Sequence, residues 1–231
     1  MKLFTGRAIP ALLVILVLSL PDQAFSSEKA ADDNQRLFAF DEQHWVLFYD
    51  LPSRRFRAIR DNFVKRNFED ASRDLRVTEN YLLIEASRAS PLIQERLELV
   101  AEALATAAND IDQLELTTND LDALFARAHW LLAQHYLELA LLSRDTENYK
   151  TSAHYLMATA HHVERTILWS NMRIEPAILV KLENIRKLSN TLLESRKPKL
   201  VYREKPIRQA WVLIQDTGEF LDRKILINPE P

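Results

Sequence analysis

Apolar residues recur every three or four positions along most of the chain, which is the spacing of one face of an α-helix. After Ser90-Pro91, an N-cap residue and a proline suited to the first helical position, this spacing continues to about Leu116. The same pattern predicts further helices over 53–65, 68–87, 120–143, 149–170, 176–195 and 207–225. We therefore predict an all-α fold, an antiparallel helical bundle of six or seven helices built from αα-hairpins.

The stretch FAFDEQHWVLFYDLP, residues 38–52, is dense in aromatic side chains. We interpret it as a short helix or an extended strap packed on the bundle, with Ser53 capping the next helix. The predicted organisation in chain order is a signal peptide over 1–26, a polar lead-in and aromatic strap over 27–52, a helical-hairpin bundle over 53–195, a linker over 196–206 and a C-terminal helix over 207–231.

A weak internal repeat supports the hairpin interpretation. Asn67-Phe68 and Asn148-Tyr149 are followed at the same offsets by similar residues, among them Thr78 in the first copy and Thr159 in the second. Each copy would form the second helix of an αα-hairpin, entered by a tight turn. Two copies are too few for a solenoid, so a compact bundle is the better interpretation.

The composition excludes several classes of protein. Only two glycines occur, Gly6 and Gly218, whereas β-hairpins and phosphate-cradling loops depend on glycine. The absence of cysteine excludes disulfides, thiolate metal sites and cysteine nucleophiles. A net charge of −3 argues against nucleic acid and anionic membranes as partners. Gly218 falls on the apolar face of the last helix, where we expect it to let two helix backbones approach closely.

The first residues have the layout of a secretory signal peptide. Lys2 and Arg7 give a positive start, an apolar run extends from Ala8 to Leu20, and small residues precede a cleavage position after Ser26. The apolar run is shorter than the roughly 20 residues of a spanning helix. We therefore expect a periplasmic or secreted protein, cleaved near Ser26, with no membrane contact in its mature form.

Five of the six histidines lie between Ala126 and Thr166, in the predicted helices 120–143 and 149–170. His129 and His135 fall in or beside a wide apolar sector and are predicted to be buried, whereas His162 points away from the apolar stripe and is predicted to be solvated. Pairing the two helices antiparallel about a turn near residue 146 brings His129 level with Glu164.

That pairing makes a metal site of His129, His135, His161 and Glu164 geometrically feasible, and these ligands would suit Zn, Cu, Fe or Ni. The competing interpretation is that the buried histidines form hydrogen bonds across helices and hold no cofactor. This second interpretation is favoured, because His129 and His135 are about 120° apart around the helix and therefore do not converge on one ion. No catalytic or cofactor-binding residue is predicted, since no nucleophile or phosphate motif is present.

Three stretches carry a resemblance to a family of small exported bacterial helical proteins without an assigned function. They are YLLIEASRAS (81–90), LDALFARAHWLLAQHYLELA (121–140) and SAHYLMATAHHVERTILW (152–169). The hairpin style is also similar to the YfdX family of bacterial stress-associated proteins. Trp130 stands where a second histidine often follows in the first family. The resemblance implies an exported helical bundle and transfers no site residue.

The function expected from these observations is that of an exported, non-enzymatic helical bundle that acts through protein–protein contacts, in envelope or stress physiology. A protein partner or self-association is expected. The alternative is a metal-binding or metal-sensing bundle that uses the His/Glu set.

Overall fold

A computed structural model describes residues 42–111 and 116–227 of the chain. All the regular structure in these ranges is α-helical, so the predicted all-α bundle is confirmed. The eight helices of the described residues are α1 Glu42–Val64, α2 Phe68–Ala86, α3 Pro91–Asp110, α4 Thr118–Asp145, α5 Tyr149–Trp169, α6 Pro176–Glu194, α7 Pro198–Val201 and α8 Glu204–Ile227. The helix count exceeds the prediction because the four-residue helix α7 forms inside the segment expected to be a linker.

The prediction that a helix begins at Ser53 is wrong. Helix α1 is continuous from Glu42 and carries Pro52 in its interior. Ser53 is 1% exposed, and its hydroxyl contacts the His161 ring on α5 instead of capping a helix end. Tertiary packing has therefore overridden the local capping signal. The predicted signal peptide, and the lead-in as far as residue 41, lie outside the described residues.

The two copies of the weak repeat enter their helices through the same turn. Arg66 and Glu147 both adopt positive φ, 61° and 59°, and are followed by Asn67 and Asn148 with nearly equal backbone angles. In both turns the asparagine N–H donates to a carbonyl five residues earlier, at 2.8 Å. This closing bond is typical of helix C-termini that end in a left-handed residue.

Helix α5 lies at the centre of the bundle, in contact with α1, α4, α6 and α8. Its most extensive contact is with α4, and the contacting pairs Ser152–Ala140, Tyr155–Tyr136 and His162–His129 follow an antiparallel register. Because α5 has neighbours on several sides, polar as well as apolar faces of this helix are buried. His129 of α4 and His162 of α5 meet in this region.

Helix α4 begins with a reciprocal cap. The Thr117 hydroxyl accepts a bond from the Asp120 backbone N–H, while the Asp120 carboxylate accepts from the Thr117 backbone N–H. This capping box begins α4 at Thr118, two residues before the predicted start. None of the described helices is both long and apolar enough to cross a membrane.

Gly218 makes room for an aromatic side chain, and not for a helix backbone as expected. A Cβ at this position would lie 2.7 Å from Cζ2 of Trp130 and 2.9 Å from its Cε2. The indole cannot easily move away, because its Nε1 donates a 2.8 Å hydrogen bond to the Ile214 carbonyl. The contact ties α4 to α8.

We expect Gly218→Ala to destabilise the protein by up to about 2 kcal/mol in urea unfolding. Overpacking of this kind costs about 1–3 kcal/mol, and the better helix propensity of alanine recovers only about 1 kcal/mol. In a Trp130→Leu background the same substitution should be neutral or stabilising. Equal destabilisation in both backgrounds would show that the indole is not the cause.

Candidate functional site

His129 on α4 and His162 on α5 form a buried imidazole pair. Their Nδ1 atoms are 2.9 Å apart, so one Nδ1–H donates to the other ring. Both Nε2 atoms are also buried, and neither has a hydrogen-bond partner within the described residues. A neutral imidazole carries one N–H. The ring that accepts at Nδ1 must therefore carry its hydrogen on an unpartnered Nε2.

The predicted solvation of His162 is wrong, because the residue is 0% exposed. The predicted burial of His129 and His135 is confirmed, since both are also 0% exposed. Burial lowers the pKa of His129 and that of His162 well below the ordinary value of 6.5, and neighbouring histidines and Arg165 lower both further. Both rings are neutral at pH 7.

His161 lies beside this pair, with its ring centroid 5.3 Å from that of His162. Its Nε2 is 2.7 Å from the Ser53 hydroxyl and 3.3 Å from a carboxylate oxygen of Asp50. Burial, followed by the charges of nearby arginines, lowers the pKa of His161 to about 3.

The contacts of His161 do not form a nucleophilic triad. A carboxylate can only accept, so its proximity to Nε2 indicates that this nitrogen carries the hydrogen. Because Nε2 already carries a hydrogen on the side that faces Ser53, this nitrogen cannot accept the proton of the Ser53 hydroxyl. A triad needs the carboxylate on the opposite ring nitrogen, Nδ1. A ring with a pKa of about 3 would also be a weak general base at neutral pH.

A second buried group centres on Glu85 of α2, which is 0% exposed. One carboxylate oxygen is 3.1 Å from Nε2 of His135, and the other is 3.4 Å from the Arg88 guanidinium. Arg88 also donates to the Tyr155 hydroxyl at 3.3 Å. The buried carboxylate is thus paired on both oxygens, as a charge in an apolar interior must be. The pairing joins α2 to both α4 and α5.

Two tyrosines extend this group. The hydroxyls of Tyr81 and Tyr136 are 3.0 Å apart, and burial followed by nearby acidic groups raises the pKa of both phenols above the ordinary 10. The Tyr136 ring stacks on His162, with centroids 5.3 Å apart and planes inclined by 6°. Ring contacts of His135 with Tyr136, of Tyr136 with His162 and of His162 with His161 therefore form one continuous polar row. The row begins at Glu85, and Tyr81, Tyr155 and His129 contact its members.

Each of the four residues predicted as metal ligands has a different partner in the structure. His129 contacts His162, His135 contacts Glu85, and His161 contacts Ser53 and Asp50. Glu164 forms a 2.8 Å ion pair with Arg186 of α6. Among the described residues, no group of three or more His, Asp or Glu side chains is arranged to hold a metal ion. Metal binding stays a prediction, which the metal content of untagged protein would measure.

Sequence reasoning missed several members of this row. The spacing of Glu85 and Arg88 suggests their pairing, but nothing in the sequence points to the partner His135 on α4. Tyr81, Tyr136 and Tyr155 carry no signal of their own, because aromatic residues at helical spacing are the usual content of a core. The clue that could have helped is that Glu85 lies in an apolar stretch of a chain with five histidines between Ala126 and Thr166.

A groove lies apart from this row, between α6 and the start of α8, with a volume of about 450 Å³. Leu188 of α6, Val201 of α7 and Pro206 of α8 give it apolar walls. Lys187, Arg203 and Lys205 are exposed and also line it, together with Asn184, Thr191 and Gln209. No carboxylate lines the groove among the described residues, although the chain as a whole is acidic.

Comparison with known proteins adds no assignment. No family model matches the chain, and no curated protein or solved structure is significantly similar to it. The resemblance noted in the sequence therefore stays a prediction. The function of the protein has to be inferred from the geometry of its own residues.

Proposed function

We propose that this protein is an exported, non-enzymatic helical bundle that works by binding a partner protein. The partner contributes an acidic segment with an apolar side chain, which occupies the groove between α6 and α8. The observation that carries the proposal is this groove, about 450 Å³ in volume, with apolar walls, three cationic side chains and no carboxylate in its described lining.

The charge of the groove selects the partner. Lys187, Arg203 and Lys205 create a positive surface on a chain whose net charge is −3. Such a local reversal attracts a negative segment and steers its approach. The outer faces beside the groove also expose Val180, 60% accessible, and Val212, 41% accessible. Val180 lies four residues before the groove residue Asn184 on α6, and Val212 lies three residues after the groove residue Gln209 on α8. An amphipathic helix bound in the groove could therefore extend along both outer faces.

The buried polar row supports a non-enzymatic role. Glu85, His129, His135 and His162 are all 0% exposed. Catalytic groups must face a pocket that a substrate can enter. Residues sealed between helices instead fix how those helices pack, which gives a rigid scaffold for the groove. Export follows from the signal-peptide pattern of residues 1–26.

The test begins by placing a photo-crosslinking amino acid at Val201, inside the groove, in the exported protein. We expect one acidic partner to be captured, and a site at Leu142, which is 62% exposed and outside the groove lining, to capture none of it. The partner is then purified and its Kd is measured by calorimetry.

The double variant Lys187→Glu/Arg203→Glu should weaken that Kd at least about tenfold, since like charges would replace attractive ones. The wild-type Kd should weaken as salt is raised. The control Arg96→Glu/Arg73→Glu reverses two charges on α3 and α2 and should bind normally. Undiminished binding by the groove variant would disprove the assignment of the groove.

A further inference from the structure

A small cavity of about 210 Å³ opens where α1 meets α5. It is lined by Ser53 and Arg57 of α1 and by Arg165, Leu168 and Trp169 of α5. Pockets for drug-sized ligands usually exceed about 300 Å³. The volume therefore fits a small molecule of one ring or a few heavy atoms. Its lining combines two cationic side chains with two apolar ones.

The two arginines that line the cavity have no carboxylate partner among the described residues. Arg165 is half-buried, its Nε is sealed from solvent without a hydrogen-bond partner, and no described carboxylate pairs with its guanidinium. Arg57 donates only to the Ser53 backbone carbonyl, at 3.3 Å, among the described hydrogen bonds. A buried guanidinium nitrogen without an acceptor is costly, so such an atom calls for an explanation.

The neighbouring arginines show that this shortage of acceptors is local. On the same helix α1, Arg54, Arg55 and Arg60 are each paired with an aspartate, Asp50, Asp74 and Asp122 respectively. Arg57 is the exception, and it is the arginine of this segment that lines the cavity. The chain thus neutralises the arginines around the cavity but leaves the two that line it without an anionic partner among the described residues.

Ser53 adds a third donor. The only described hydrogen bond of the Ser53 hydroxyl is with Nε2 of His161, at 2.7 Å. In the tautomer that carries its hydrogen on Nε2, the hydroxyl hydrogen of Ser53 is free to bond an anion. The positive potential also acts on His161, whose pKa of about 3 reflects burial and then the charges of Arg165, Arg186 and Arg57. An anion in the cavity would supply an acceptor to the accessible nitrogens of both guanidinium groups and to the Ser53 hydroxyl.

We propose that the cavity between α1 and α5 is a binding site for a small organic anion. Arg57, Arg165 and the Ser53 hydroxyl hold its oxyanion group, a carboxylate or a phosphate, by charge-assisted hydrogen bonds. Leu168 and the Trp169 indole contact a flat apolar part of the same molecule. This site is separate from the α6–α8 groove, and it does not depend on the proposed partner protein.

Three probes test the proposal on the purified, folded protein: benzoate, phenyl phosphate and inorganic phosphate. We expect at least one of the two aromatic anions to bind with a saturable change in tryptophan fluorescence and to raise Tm by mass action. The better of these two identifies the oxyanion. Inorganic phosphate should bind more weakly than phenyl phosphate, because it cannot contact the apolar side. Failure of both aromatic anions to saturate at about 10 mM, a concentration above the Kd of even weak specific binding, would overturn the proposal.

Variants locate the binding. Arg165→Gln and Arg57→Gln should each weaken the better probe about tenfold or more, as expected for loss of one charged hydrogen-bond donor. The matched control Arg96→Gln removes an exposed arginine of α3 and should bind normally. In the absence of probe, Arg165→Gln should keep or raise Tm, because a charge without an acceptor has been removed.

That combination of unchanged or higher stability with lost binding would not arise from a purely structural arginine. Since Arg57 is exposed, its variant keeps the test valid if Arg165→Gln folds poorly. Normal probe affinity in both variants would overturn the site. Binding of inorganic phosphate as tight as that of phenyl phosphate would overturn the role of Leu168 and Trp169.

Discussion

Glu85→Ala is expected to lower the free energy of unfolding by about 3–5 kcal/mol, the range measured when one partner of a buried ion pair is removed. The substitution leaves His135 and the Arg88 guanidinium facing a small empty space in the interior. The loss can be measured by urea unfolding at pH 7. With a total stability of about 5–15 kcal/mol, a domain of this size would become marginal.

Two controls separate the buried network from general effects of the substitution. Glu102→Ala removes an exposed carboxylate on α3 and should change the stability by less than about 0.5 kcal/mol. Glu85→Leu/His135→Leu replaces both partners by apolar groups and should destabilise less than the sum of its single variants. A loss below about 1 kcal/mol for Glu85→Ala would mean that Glu85 does not hold α2 to α4.

Most helix positions could be predicted because the local signals agree with one another. The repeated turn at Asn67 and Asn148 is an example, since polar turn residues and the restart of apolar periodicity coincide there. The error at Ser53 shows the limit of such signals. Serine before a charged helical segment has the features of a cap, but this serine packs against His161 of a helix more than 100 residues away. Only the assembled bundle contains that contact.

Apolar periodicity places His162 at the surface because its face of α5 carries polar residues. In the structure Ser152, Thr159, His162 and Thr166 are all buried. The two threonine hydroxyls donate to carbonyls one turn back in their own helix, at 2.9 Å each. Hydroxyl groups satisfied in this way can face other helices at little cost. A face of short polar residues is therefore compatible with burial, and apolar periodicity alone cannot reveal it.

The candidate ligand set does not assemble because of a small difference in register. Antiparallel pairing about residue 146 brings His129 level with Glu164, whereas the structure pairs it with His162, two residues earlier. Two residues correspond to about 200° around a helix, so the shift exchanges one face of α5 for the other. Glu164 then lies towards α6, where it pairs with Arg186. Register depends on how side chains interlock, which a pattern of apolar positions does not specify.

The free energy of unfolding is expected to fall steeply as the pH drops below 6.5. The pKa values of His129, His161 and His162 are all below that ordinary value in the folded protein, mainly because of burial. Between pH 6.5 and about 3, the unfolded chain therefore binds up to three protons that the native protein excludes. The stabilisation is complete above pH 6.5 and is lost as the pH falls. Three protons correspond to a limiting slope of about 4 kcal/mol per pH unit.

At this slope, a total stability of about 5–15 kcal/mol would be lost within a few pH units. Urea unfolding at several pH values between about 7.5 and 4.5 measures the slope. His162→Gln removes one titrating ring and should reduce the limiting slope by about 1.4 kcal/mol per pH unit. The control Ile167→Val, at a buried position of the same helix, should lower the stability by about 0.5–1.5 kcal/mol at every pH without changing the slope. A flat profile between about pH 7.5 and 5, or an unchanged slope in His162→Gln, would contradict the neutral, buried state of these histidines. A steep profile whose slope falls only in the histidine variant would show that the buried histidines between α4 and α5 make the fold sensitive to acid.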